Sequence, residues 1–192
     1  MKQNIVVAMC GKTHSGKTTF GNGISKVLPK HVIIDHDVVA EFLNTEFHAL
    51  HNDPEVLATR TPSNPDLRLL IPQLIYDYSL KNGYNVILTA SHSRREIRRQ
   101  QREISQKYNA VFVLIFFNLP NEILEKRVKE SVRSTNVLTT KSFGDELNRQ
   151  QGFFEDASVE EADYFFEIKN DEDLVSVERQ LKSLIKTLSS PI

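Results

Sequence analysis

Cysteine is nearly absent from this chain: Cys10 is the single one among 192 residues. One cysteine cannot form an internal disulfide, and Cys10 lies in an apolar run, where we expect it to act as a small buried hydrophobic side chain. Long hydrophobic runs are also absent, because the longest, residues 110–117, is far shorter than the ~20 residues that span a bilayer. No pattern typical of a signal peptide precedes the first apolar run. We therefore expect a cytoplasmic protein without a membrane partner.

An excess of charge of either sign is missing too. The 24 Lys and Arg residues oppose 25 Asp and Glu residues, which gives a formal net charge of -1. Such a balance provides no general attraction to nucleic acids, so binding of that kind requires a local patch. A composition with 40% hydrophobic and 26% charged residues excludes wholesale disorder, and the length favours one domain over residues 1–192.

Internal repeats are lacking, but short apolar runs alternate with helical patterns along the chain. The predicted strands cover residues 5–9, 31–35, 85–89, 111–118 and 164–168. The predicted helices cover residues 17–27, 66–81, 94–107, 121–130 and 173–188, with a further capping signal at Ser142. Pro72 predicts a kink or a late start in the second helix, and Asn121 is a candidate cap. Strands that alternate with helices predict an α/β fold with a mostly parallel sheet.

A phosphate-binding loop follows the first predicted strand. Residues 11–18 match G-x-x-x-x-G-K-[ST] at every fixed position, between an apolar strand and a helical pattern. Glycines let the backbone curl around phosphate oxygens, Lys17 reaches the β- and γ-phosphates, and the Thr18 hydroxyl ligates Mg²⁺. The candidate nucleotide-binding residues are Gly11, Lys12, Thr13, His14, Ser15, Gly16, Lys17, Thr18 and Thr19.

Two other motifs of nucleotide-binding proteins are not found. Residues 118–121, after the fourth strand, lack the Lys and Asp that recognise guanine, and the third strand ends in Leu88-Thr89-Ala90 without an acidic residue. Both observations count against GTPases and large ATPases.

Two carboxylates follow the second strand, at Asp35 and Asp37. The carboxyl ends of parallel strands share one edge of the sheet, so both are expected on the same side as the phosphate loop. One of them is a candidate base for the proton of an attacking hydroxyl, and the other is a candidate for holding a metal-bound water. Asp37 is the favoured base, and we also expect it to cap the next helix.

The phosphate loop and the strand that ends in Asp35-His36-Asp37 resemble those of the small P-loop kinases, which are AAA-like ATP-binding proteins. The group includes polynucleotide 5′-hydroxyl kinase, chloramphenicol phosphotransferase, gluconate kinase and the zeta toxins. The resemblance implies a three-layer P-loop NTPase fold around an adenylate-kinase-like core, with a five-stranded parallel sheet in the order 2-3-1-4-5. It also implies that ATP and Mg²⁺ are cofactors, that a hydroxyl compound is the acceptor, and that Asp37, or less readily Asp35, is the base.

The same resemblance implies a helical lid after the fourth strand, over residues 127–141, whose arginines neutralise the transferring phosphoryl group. Arg127 and Arg133 are the candidates, and the sequence does not decide between them. A polar segment at residues 41–65, with three prolines, is expected to lie on the substrate side.

A second basic cluster follows the third strand. Its members are Arg94, Arg95, Arg98, Arg99 and Arg102. The cluster is a candidate grip for an anionic or nucleic-acid substrate, but Glu96 and Glu103 lie among these arginines and favour a solvated helix face.

The leading hypothesis is an ATP-dependent phosphotransferase that acts on a hydroxyl of a small molecule. The alternatives are a polynucleotide 5′-hydroxyl kinase, favoured by the arginine cluster, and a nucleotide-binding regulatory protein with little turnover.

Overall fold

A computed structural model describes residues 3–49, 53, 66–133, 135 and 140–189. The strands are β1 (Ile5–Gly11), β2 (His31–Ile34), β3 (Asn85–Leu88), β4 (Val111–Phe117) and β5 (Tyr164–Ile168). The helices are α1 (Lys17–Ser25), α2 (His36–Glu46), α3 (Leu67–Lys81), α4 (Arg95–Lys107), α5 (Asn121–Lys129), α6 (Phe143–Gln151) and α7 (Asp171–Ser189), with a 3₁₀ turn at Val159–Glu161. Parts of the predicted lid (134 and 136–139) and of the predicted substrate-side segment (50–52 and 54–65) lie outside the described residues.

The five strands form one parallel sheet in the order β2-β3-β1-β4-β5. The predicted fold class and strand order are therefore confirmed. β1 lies at the centre and pairs with β4 along its whole length, from Ile5 opposite Val111 to Gly11 opposite Phe117. All seven residues of β1 and all seven of β4 are buried, as expected for strands covered on both faces.

Helices cover both faces of the sheet and make three layers. The odd-numbered residues of β1 from Ile5 to Met9 pack in one cluster with residues of α1, α5, α6 and α7. The even-numbered residues from Val6 to Cys10 pack in a second cluster with Tyr76 and Leu80 of α3. The alternation follows from the two-residue period of a strand, and it places the carboxyl end of β1 between the two layers. Of the helices that the structure describes, none is long and apolar enough to cross a membrane.

The helix that follows β2 is capped by a different residue from the one expected. Asp35 is the N-cap of α2, and its Oδ1 accepts a hydrogen bond from the Asp37 N–H at 2.9 Å. The expectation that Asp37 caps this helix was wrong, because the strand ends at Ile34 and the chain enters the helix one residue later. The Asp37 side chain is consequently available for other contacts.

Two further helix starts differ from the sequence predictions. Pro120, and not Asn121, is the N-cap of α5, and the Asn121 amide oxygen accepts a hydrogen bond from Lys12 Nζ at 3.0 Å. Pro72 lies inside α3, which begins at Leu67, so the predicted late start is wrong. The cap expected at Ser142 is confirmed, since its hydroxyl accepts from the Asp145 N–H.

Arg98 departs from the solvated helix face predicted for α4. Its side chain is only 1% exposed, and its guanidinium donates to both carboxylate oxygens of Glu161, at 2.7 and 3.1 Å. It also donates to the backbone carbonyls of His92 and Glu155, both at 2.9 Å. Arg98 thus joins α4, the loop after β3 and the 3₁₀ turn before β5.

We predict that Arg98→Leu lowers the free energy of unfolding by about 3–5 kcal/mol, because it removes the buried guanidinium that pairs with the Glu161 carboxylate and donates to several carbonyls. Urea denaturation followed by circular dichroism measures this loss. Arg99→Leu is the matched control, since Arg99 is exposed and its ion pairs with described residues, Glu96 and Glu103, lie on the helix surface, so its loss is expected to cost at most about 0.5 kcal/mol. Equal midpoints for the two variants would contradict the structural role of Arg98.

Candidate active site

A cavity of about 610 Å³ opens at the carboxyl edge of the central strands. It is lined by Thr13, His14, Gly16, Lys17, Thr18, Thr19, His36, Asp37, Arg68, Thr89, Ala90, Ser91, Arg127, Arg133, Phe143, Glu146, Arg149 and Gln150. Most of the sequence-predicted site residues therefore meet at one place, although they come from α1, α2, α5 and the segment after α5. Gly11, Lys12, Ser15 and Asp35 are not in this lining, but each is bonded to a residue of the loop or to its flanks.

The shape of the phosphate-binding loop requires its two glycines. A Cβ on Gly11 would lie 2.8 Å from Cβ of Phe117 and 2.9 Å from Oγ of Ser15, so a side chain there would force the loop away from β4. Gly16 has a φ of 99° and is the N-cap of α1, a left-handed conformation that glycine adopts without strain. The loop therefore passes directly from the buried end of β1 into the N-terminus of α1, where N–H groups favour an anion.

Lys17 is folded back onto the loop that carries it. Its Nζ donates to the carbonyls of Gly11 at 2.9 Å and Lys12 at 2.7 Å, and to the Ser15 hydroxyl at 3.1 Å. Burial lowers the pKa of Lys17 to about 8, although Asp37 acts in the opposite direction. The loop thus holds its lysine by neutral acceptors, which a phosphate anion can replace with a stronger, charge-assisted partner.

The two aspartates after β2 face different partners. Asp35 Oδ2 accepts a hydrogen bond from the Thr18 hydroxyl at 3.2 Å. Asp37 Oδ2 lies 2.7 Å from Nη2 of Arg133, in an ion pair whose two side chains are about half exposed. The structure consequently separates the pair: Asp35 adjoins the hydroxyl expected to bind Mg²⁺, and Asp37 lies on the cavity wall beside the predicted lid arginine.

The two candidate lid arginines occupy different sides of the cavity. Arg127 Nη1 donates to the carbonyls of His14 and Ser15, both at 3.4 Å, and its Nη2 is 3.7 Å from the Asp171 carboxylate. Arg133 instead reaches Asp37, and its guanidinium carbon is 5.3 Å from the ring centre of Phe143. Arg127 therefore contacts the phosphate-binding loop, whereas Arg133 contacts the carboxylate favoured as a base.

Sequence analysis missed the contribution of α6. The Thr13 N–H donates to Oε1 of Gln150 at 2.7 Å, and Nε2 of Gln150 donates to Glu146 at 2.8 Å. Glu146 in turn accepts two hydrogen bonds from Arg149, at 2.9 and 2.8 Å. The available signal was the spacing: Glu146 and Gln150 share the buried face of α6 with Phe143 and Leu147, and polar residues at core-facing positions indicate a specific partner.

Three histidines lie at or behind the cavity, and burial lowers the pKa of each. The pKa of His92 falls to about 3, while those of His36 and His14 are lowered too, the latter by burial and by Arg133. These rings are consequently neutral near pH 7, and the positive charge of the cavity comes from lysine and arginine.

The loop after β3 forms part of the cavity wall and is tied to the end of β1. The Gly11 N–H donates to the Ser91 carbonyl at 3.0 Å, and the His92 Nδ1–H donates to the Met9 carbonyl at 2.6 Å. Ser91 lines the cavity. The backbone of the wall is thus fixed relative to the phosphate-binding loop.

Comparisons with known proteins agree with this geometry. Residues 6–154 match a family model described as an AAA domain (AAA_33). A search of the curated proteins gives no significant match. The fold is similar to a sugar kinase from a Janibacter species, with a TM-score of 0.63, 15% identity, and 98% of this chain and 99% of that chain covered. It is also similar to a gluconokinase from Sinorhizobium meliloti (TM-score 0.57, 17% identity, coverage 99% and 100%).

The APS kinase from Mycobacterium tuberculosis, solved with AMPPNP and APS, is a third similar structure, with a TM-score of 0.61, 13% identity and coverage of 97% and 99%. Together with the family model, these structures confirm that the fold resembles that of the small P-loop kinases. At such low identity the solved structures show the fold alone.

We predict that nucleotide binding is linked to proton uptake by Lys17. Its pKa of about 8 in the nucleotide-free protein should rise when phosphate oxygens replace carbonyls as its partners, so the bound state holds more protons. Proton uptake on ADP binding should therefore grow between about pH 7 and pH 9, with affinity falling as pH rises through this range. Titration calorimetry in buffers of different ionisation enthalpy measures it. No uptake near pH 8 would contradict the prediction.

Proposed function

The chain belongs to the AAA domain family (AAA_33), and we propose that it is an ATP- and Mg²⁺-dependent phosphotransferase that moves the γ-phosphate to a hydroxyl of a small molecule. The observation that carries the proposal is the position of Asp37, on the wall of the same cavity as Lys17 and Thr18. A carboxylate at that place can accept the proton of a hydroxyl that attacks the γ-phosphate.

The residues present fit both cofactors. The loop N–H groups and Lys17 suit the phosphates of ATP, and the Thr18 hydroxyl and Asp35 carboxylate are hard oxygen donors that adjoin one another at 3.2 Å, as Mg²⁺ prefers. We assign Thr18 as the direct ligand and Asp35 as a partner for a metal-bound water. When bound, the ion would neutralise charge on the β- and γ-phosphate oxygens.

Two carboxylates line the described cavity, those of Asp37 and Glu146, and Asp37 is the better candidate for the catalytic base. Both oxygens of Glu146 are held by Arg149, and one of them also accepts from Gln150. Asp37 has one ion pair, to Arg133, and is about half exposed. Asp37 is consequently the one with capacity to take a proton from an acceptor.

In the proposed reaction, a bond forms between the acceptor oxygen and the γ-phosphorus, and the bond from that phosphorus to the departing ADP oxygen breaks. The acceptor proton passes to Asp37, and ADP leaves with the electron pair. Arg133 shifts from Asp37 to the phosphoryl oxygens, which frees the carboxylate and stabilises the transferring group. The chain acts here as one domain, with residues 127–141 as the lid.

A polynucleotide acceptor is the less favoured alternative, because the arginines of α4 that suggested it are mostly neutralised. Arg98, Arg99 and Arg102 pair with Glu161, Glu96 and Glu103, and Asp163. A regulatory protein with little turnover is the other alternative, and measured transfer separates it from a kinase.

The proposal is tested with γ-labelled ATP, Mg²⁺ and pools of small hydroxyl compounds, alongside oligonucleotides with a free 5′-hydroxyl. We expect label in a small molecule, and none with Lys17→Ala. Transfer only to oligonucleotides would favour the polynucleotide kinase. ATP binding without transfer to any acceptor would favour the regulatory protein and contradict the proposal.

We predict that Asp37→Asn lowers kcat by about two to four orders of magnitude with little change in ATP affinity, because it removes the base but keeps the shape. Asp35→Asn is the matched variant: asparagine still caps α2, so the fold is retained, but the Mg²⁺ concentration needed for half-maximal rate should rise. Steady-state kinetics at varied Mg²⁺ distinguish the two. A severe kcat loss in Asp35→Asn alone would reverse the assignment.

We also predict that substitutions of Arg127 and Arg133 change different kinetic parameters. Arg127→Gln should raise the KM for ATP, because Arg127 contacts the phosphate-binding loop, whereas Arg133→Gln should mainly lower kcat. Each variant is the control for the other in the same kinetic assay. Full turnover in Arg133→Gln would remove it from the mechanism.

A further inference from the structure

Arg94 differs from the other arginines of its cluster. In the part of the chain that the structure describes, no carboxylate lies within 4.0 Å of its guanidinium. The other four members have such a partner: Arg95, Arg98, Arg99 and Arg102. Arg94 is also exposed. It is therefore the member of the cluster whose charge is left for a ligand.

The Arg94 guanidinium is held in place by an aromatic ring that it shares with Arg149. Its central carbon lies 5.4 Å from the ring centre of Phe153, and that of Arg149 lies 5.0 Å from the same centre. Cation–π contacts of this kind restrict the orientation of a guanidinium without using its N–H donors. Two planar cations are thus positioned beside one ring.

Arg149 connects this pair to the cavity, since it belongs to the cavity lining. Glu146 accepts from its Nε and Nη2, which leaves Nη1 and one Nη2 hydrogen among its five donors. The other carboxylate near Arg94, that of Glu155, accepts from the Arg95 N–H at 2.6 Å and so holds the start of α4. Arg149 keeps donors to spare, and among the described residues Arg94 has no carboxylate within 4.0 Å, so both guanidiniums can still donate to an anion.

We propose that Arg94 and Arg149 bind an anionic group of the acceptor, a carboxylate or a phosphate, at the mouth of the cavity. The acceptor is then a small hydroxyl compound that carries a negative charge. Its hydroxyl lies at Asp37 and its anionic end at Arg149, which line the same cavity. This inference rests on the proposed function, and it adds the substrate class.

The test uses protein loaded with AMPPNP and Mg²⁺, so that the phosphate-binding loop is filled and added anions report on other sites. Inorganic phosphate, D-gluconate and the uncharged D-glucose are titrated and followed by calorimetry. We expect phosphate or gluconate to bind and Arg94→Gln to weaken that binding about tenfold or more, as for a hydrogen bond between charged groups. Arg99→Gln, on the same helix, is the control and should bind like the unaltered protein.

The outcomes separate the ligand chemistry. Binding of phosphate without gluconate assigns a phosphorylated acceptor, and the reverse assigns a carboxylate. Failure of both anions to bind, or equal binding by Arg94→Gln and Arg99→Gln, overturns the inference. Tighter, Arg94-dependent binding of an oligonucleotide than of either anion overturns the small-molecule class.

The transfer assay distinguishes failure of this inference from failure of the proposed function. Transfer to a neutral acceptor at a rate unchanged by Arg94→Gln overturns the inference and leaves the phosphotransferase standing. Arg94-dependent anion binding without transfer to any acceptor supports the subsite and overturns the phosphotransferase.

Discussion

The buried guanidinium of Arg98 is the constraint on which the site depends. It holds the His92 carbonyl at 2.9 Å, and His92 in turn bonds to Met9, while the neighbouring Ser91 carbonyl receives the Gly11 N–H. Arg98 therefore adds to the direct hydrogen bonds that hold the loop after β3 against the end of β1, where the phosphate-binding loop begins. Burying a charge is costly, but both oxygens of Glu161 and several carbonyls accept hydrogen bonds from the Arg98 guanidinium. This hydrogen-bond network holds α4, the loop after β3 and the 3₁₀ turn in fixed positions relative to one another.

In the nucleotide-free protein, three cations of the cavity, those of Lys17, Arg127 and Arg133, have partners within the protein itself. Lys17 and Arg127 donate to carbonyls of the phosphate-binding loop, and Arg133 pairs with Asp37. Neutral carbonyls and a half-exposed ion pair are weak competitors for guanidinium and ammonium groups compared with phosphate oxygens in a closed, water-poor cavity. The same side chains can therefore stabilise the empty loop and then exchange partners when ATP binds.

The sequence predicted the strands and the phosphate-binding loop because both depend on local patterns: apolar runs mark the strands, and the loop needs glycine at Gly11 and Gly16. The order of the strands in the sheet came instead from the resemblance to the small P-loop kinases. The sequence did not separate Arg94, Arg98 and Arg99, because helical spacing does not show that α4 packs one arginine inward against Glu161, some 60 residues later in the chain. The expectation that Asp37 caps α2 was also wrong, because local patterns do not fix the exact residue at which a helix begins. The helix begins at His36, directly after Asp35, so Asp35 caps α2 and Asp37, two residues later, faces the cavity.

The helix α6, which carried only a capping signal in the sequence, links the two halves of the site. Gln150 receives the Thr13 N–H of the phosphate-binding loop, and the adjacent Arg149 lies over Phe153 beside Arg94. Glu146 bonds to both residues and so fixes their side chains relative to one another. Because Thr13 and Arg149 are connected through this one turn of helix, the same residues hold the phosphate-binding loop and the arginine proposed for the anionic group of the acceptor.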